Sequence, residues 1–181
     1  LIASSQSLGT GAIVNNTSLV LNQTIAGTLA GAISGAGSLT KTGAGAVTLT
    51  GANSFSGGTT ITSGRLIGNT QSFGTGNIVN NASLVLDQTT DASFAGGISG
   101  TGSLTKTGAG ALTLTGVSSF TGTTTISAGS LIGSSQSLGR GAIVNNTSLV
   151  LNQTIAGTLV GALSGTGSLT KTGSGTLTLT G

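Results

Sequence analysis

Short runs of alternating apolar and polar residues, separated by glycine, set the rhythm of this chain. Residues 46–50 read A-V-T-L-T, the period of a half-buried strand. Val47 and Leu49 are expected to point inward, with Thr48 and Thr50 facing water. Threonine suits that outer face because its β-branched side chain favours extended backbone. Ser-Leu-Val-Leu at 18–21 places Leu19 and Leu21 on one face, and Ile25, Leu29 and Ile33 are expected to share another, with Gly27 and Gly31 between them. Phe55 and Ile61 fill the core in the strands that follow, with Thr60 and Thr62 outside. Glycines between the runs supply the φ/ψ values that tight corners need. With no proline anywhere, no strand is denied a ladder hydrogen bond. Helix is a poor alternative, because glycine costs roughly 1 kcal/mol per helical site relative to alanine and threonine is also unfavourable.

The runs recur on a longer period. Leu1, Leu66 and Leu131 each open a copy of 65 residues without insertion or deletion, and the pairs Asn15-Asn16, Asn80-Asn81 and Asn145-Asn146 hold the same phase. The copies are 1–65, 66–130 and an incomplete 131–181, which stops 14 residues short and predicts a segment of a longer array. A fixed period of this kind marks a stacked architecture in which each unit buries its apolar face against the next. A one-residue slip would turn every inward side chain outward, so strict phase means strict register. The expected fold is all-β: one continuous right-handed parallel β-helix, a β-solenoid. About three coils of a little over 20 residues per copy would give about eight coils, spanning about 40 Å at a spacing of about 4.8 Å.

Composition supports a solenoid over its competitors. Only 4% of residues are charged, against about 25% in ordinary globular domains. Mean hydropathy is positive, yet no stretch approaches the roughly 18 uninterrupted apolar residues of a spanning helix. The evenly spaced Leu, Ile and Val argue against a disordered Gly/Ser/Thr linker. The net charge of +3 reflects scarcity of acids, and the basic residues Lys41, Arg65, Lys106, Arg140 and Lys171 are scattered, not clustered as a nucleic-acid face requires. The absence of cysteine excludes disulfide staples and thiolate metal sites. No signal peptide is visible.

Within each copy an octad is written twice, as G-A-G-S-L-T-K-T (35–42) and G-A-G-A-V-T-L-T (43–50). The stretch GAGSLTKTGAGAVTLTGANSFSGGTTITSGRL (35–66) resembles the passenger-associated transport repeat of autotransporter proteins from Gram-negative bacteria. Copy two matches over 100–131, with Ser118 in place of the Asn and Thr123 in place of one Gly; copy three matches up to Gly181. The resemblance implies a shaft displayed at the cell surface or secreted, exported across the outer membrane by a C-terminal β-barrel translocator. Members of that family carry adhesive, protease or esterase regions, and the repeat itself brings no catalytic motif.

Candidate chemistry is sparse. Without His or Cys the usual general base and thiol nucleophile are missing. The reading is therefore a non-enzyme with no catalytic, cofactor-binding or metal-ligating residue and no cofactor. Asp87 and Asp91 are the only carboxylates, and they answer to Asn22, Ala26, Asn152 and Ala156 in the other copies; copy variation explains them better than a glycosidase-like pair. The G-x-G runs lack the acidic position of a calcium-binding nonapeptide and precede no helix, as a phosphate loop would. Thr40/Thr42, Thr48/Thr50 and Thr60/Thr62 suggest an ice-binding array, but the octad spacing sends adjacent pairs to different sides of a coil. Asn15, Asn16 and Asn22 stand in N-x-S/T contexts, read first as stacked or turn-forming asparagines and second as glycosylation sites; Ser/Thr glycosylation is a further option that the resemblance implies. Lys41, Lys106 and Lys171 are expected to hold solvated heads that discourage edge aggregation. The leading function is a structural shaft that holds a distal region away from the cell. The alternative is self-association or adhesion through the shaft itself.

Overall fold

The computed structural model describes residues 1–181. It is a solenoid of about nine turns built from parallel strands. Each coil visits three strand positions, so the stack has three sheet faces. The first runs through Ile2–Ala3, Ser18–Asn22, Ser38–Thr42, Thr59–Ile61, Ile78–Asn80 and Ile98–Ser99. The second joins eight strands, from Gly27–Leu29 to Leu163–Ser164. The third opens with Ile13–Val14 on Ile33–Ser34 and is longest from Ala92–Phe94 to Ser168–Thr172. All pairings are parallel and in register, as in Leu19↔Leu39 and Leu84↔Leu104.

The structural repeat is the coil, not the 65-residue copy. Stacked partners lie 20 residues apart from Leu84 to Leu104, 19 from Val47 to Leu66 and 18 from Leu66 to Leu84. The expected coil of a little over 20 residues is therefore too long. The shortest coils are those in which a tight turn replaces a strand, as at residues 69–73. Three coils carry Leu19 through Leu39 and Thr59 to Ile78, all on the first face. Leu84, the counterpart of Leu19, comes one strand later, on the second face, and Leu149 falls on the third. A copy thus spans three and a third coils, where three were expected, and each successive copy presents its elements on the next face.

The inward positions form one apolar stack of 27 buried residues. Leu19, Leu21, Val47, Leu49, Phe55 and Ile61 lie in it, as the alternation requires. Thr50 and Thr62 are exposed, and Thr48 and Thr60 are half-exposed. Ile25 departs from expectation. It is 70% exposed, because it lies in the turn before Gly27–Leu29, and Leu29 and Ile33 enter the core from different faces. Corners use glycine where φ is positive, as at Gly43 (φ 76°) and Gly108 (φ 76°), and no other residue type adopts that region. One helical turn, Ser5–Leu8, interrupts the β structure, capped by the Ser4 side chain on the Ser7 N–H.

Candidate functional site

The least expected chemistry lies inside the stack. In the inward column Leu21, Lys41, Ile61 and Asn80 follow one another in register. The same order, Leu86, Lys106, Ile126 and Asn145, returns on the second face. Lys41 and Lys106 are 0% exposed, which corrects their expected solvation. The Lys41 Nζ donates to the carbonyls of Thr42 at 2.6 Å, Gly43 at 2.7 Å and Ser63 at 3.1 Å. Lys106 does the same with Thr107, Gly108 and Ala128 at 2.7, 2.7 and 3.1 Å. An ammonium has three donors and no acceptor, so each cage satisfies it in full. Two carbonyls belong to the corner beside the lysine and the third to the next coil, so the side chain ties two coils together. Lys171, in the final coil, is exposed and bonds Thr172 and Gly173 alone. Burial lowers the pKa of Lys41 and Lys106 from the usual lysine value, with the nearby Asp87 charge partly opposing the effect at Lys106.

Amides complete the internal polar system. Asn15, Asn80 and Asn145 each donate from Nδ2 to the carbonyl 23 residues on, in Ser38, Ser103 and Ser168, at 2.8–2.9 Å. Their reading as structural asparagines holds for these three, which are buried; Asn16 and Asn22 are exposed. Gln23, Gln88 and Gln153, which the sequence did not single out, accept from the N–H of Ser5, Thr70 and Ser135 at 2.9–3.1 Å. They fasten the tight turn of each copy to the coil above it. Asn53 spans two coils likewise, accepting from Ile33 N–H and donating to Ser72 O. Burying such groups is tolerable because they are bonded.

On the outside, Thr40 and Thr42 stand beside Thr60 and Thr62. Val20 and Val79 bound that patch in the coils before and after, so it is two coils deep. Thr48 lies on another face, as the octad spacing predicts. Copy two repeats the patch on the second face, with Thr105 against Thr125. The hydroxyls are dispersed around the shaft and form no continuous array.

Both carboxylates are exposed and serve local bonds. Asp87 accepts from Thr107 Oγ1 at 2.9 Å and Asp91 from Ala111 N–H at 2.8 Å. Two matching notches recur 65 residues apart, one lined by Thr48, Thr50, Ile67 and Asp87, the other by Thr113, Thr115, Ile132 and Asn152. The largest depression, about 510 Å³, lies on the first face where the turn at Ser134–Leu138 displaces a strand; Val117, Ser135, Gln136, Arg140, Thr158 and Val160 are among its lining. No helix is long and apolar enough to cross a membrane.

The passenger-associated-transport-repeat family matches residues 39–67, 104–132 and 169–181. Each match begins at the leucine two residues before a Lys of the series 41, 106 and 171, and the first two cover the complete carbonyl cages. No curated protein and no solved structure is similar enough to the chain to match it. With three matches in phase with its copies and every coil stacked in parallel, the chain is a β-solenoid that carries passenger-associated-transport repeats.

Proposed function

We propose that this segment is the shaft of an exported autotransporter-type protein, displayed at the cell surface or secreted, and that it is not itself an enzyme. The observation that supports this most is continuity: the ladders and the inward columns pass from copy to copy, and internal polar groups serve to tie coil to coil. The transport repeats support translocation of the chain by a C-terminal outer-membrane β-barrel. A rod of this build gains length without gaining new chemistry, because each copy contacts only its neighbours.

Reach tests the reading. Cells displaying shafts with two, three or four copies should hold a distal tag progressively farther from the membrane, by about 16 Å per copy at about 4.8 Å per coil. Substituting Asp87→Asn and Asp91→Ala together, to the residues of copy one, should leave reach and adhesion unchanged. Loss of adhesion in that double variant, with reach intact, would make copy two a discrete site and overturn the shaft.

A further inference from the structure

The copies differ from one another at many positions. Three of these positions meet in the depression on the first face. Arg140 replaces Thr10 and Thr75, Val160 replaces Ala30 and Ala95, and Val117 replaces Ala52. They come from three successive coils, and Ser135 and Gln136 of the tight turn at Ser134–Leu138 line the depression with them. Val117 and Val160 are 74% and 48% exposed, an arrangement that gains nothing for the core. The Arg140 backbone N–H is held by Phe120 O at 2.8 Å, while its guanidinium makes no hydrogen bond or ion pair within the chain.

From this convergence we infer that the depression is a binding site for a carboxylate-bearing saccharide. A free guanidinium presents a planar fork that matches a carboxylate with two parallel bonds. Around it Ser135, Gln136 and Thr158 offer several neutral donors and acceptors and no second charge. The partner of that set carries one anionic group and several hydroxyls. The valine methyls supply an apolar surface for the C–H face of a sugar ring, in a chain that has only four Phe and no Tyr or Trp. Without an aromatic platform the affinity is modest, and it depends mainly on the charge.

The counterpart residues provide variants that fold, because the solenoid already uses them at equivalent places. Titration of the whole chain with a glucuronic-acid oligosaccharide should show binding that weakens by about tenfold or more in Arg140→Thr. The double variant Val117→Ala/Val160→Ala should bind several-fold more weakly, because four methyl groups no longer cover the ring. Arg65→Ser, which takes the residue of Ser130, should bind like the parent, since Arg65 is exposed but lines none of the depression. The same oligosaccharide with its carboxyls reduced should not bind. Three results overturn the assignment: no binding of the acidic oligosaccharide, equal loss in Arg140→Thr and Arg65→Ser, or displacement by a glutamate-rich peptide at equal or lower concentration. The last would assign the depression to acidic peptides.

Discussion

Lys41 is the residue on which local chemistry and long-range order meet most directly. Its carbonyl partners at Thr42 and Gly43 come from the corner that follows it, and the third, at Ser63, comes from the next coil. Replacing Lys41 by Met keeps the apolar stem but deletes three charge-assisted donors. Urea unfolding should register a loss of about 1.5–3 kcal/mol. Lys171→Met, at an exposed head, should cost under about 0.5 kcal/mol. Equal costs would mean that the buried cage adds nothing to stability. pH supplies a second reading of the same groups. Burial lowers the folded pKa of Lys41 and Lys106 below 10.5, so between that lowered value and 10.5 the unfolded chain binds more protons. Stability should therefore rise with pH across that window and level off above it. Urea midpoints of the parent should show this rise, and the double variant Lys41→Met/Lys106→Met should lose it.

At the scale of the strand, alternation carried most of the information. Parity put Val47, Leu49, Leu19 and Leu21 inside, and they are buried. Leu49→Asp or Leu114→Asp places an unpaired charge in the stack and should cost several kcal/mol. Thr48→Asp and Thr113→Asp, on the outward column, should cost under about 1 kcal/mol. Melting the four variants side by side checks the register, and similar losses at both kinds of position would refute it. The same parity places Lys41 inward, two residues after Leu39, but charge argues for water. The winning interaction could not be read from the octad, because one of its acceptors lies 22 residues away on another coil. Ile25 fails for a different reason: its spacing to Leu29 and Ile33 ignores the corners between them, and a corner residue has no fixed parity. The glutamines at 23, 88 and 153 were legible only as recurrent polar residues. Their targets, the turns 18 residues earlier, become visible once the coils are stacked. The depression around Arg140 was likewise hidden, since its three unusual residues stand 20–23 positions apart in sequence.

For the whole molecule the 65-residue period was plain, and its relation to the coil was not, because a short turn trims one coil per copy. Removing residues 66–130 joins copy one to copy three across the same junction that copy two now makes. That variant should fold with a native-like β spectrum in circular dichroism, since contacts are between neighbours. Removing ten residues, about half a coil, should break the ladder, expose the apolar stack and give a protease-sensitive product. Loss of folding in both would mean that the copies are not interchangeable. The phase between copy and coil has a consequence for whatever the shaft carries. Copy number acts as a compass setting as well as a ruler: one copy more or less swings the distal load to a new azimuth, a third of the way around the axis. Three copies bring it back to its original heading, after ten coils. Lengthening such a shaft while keeping its load aimed at the same neighbour requires copies to be added in threes.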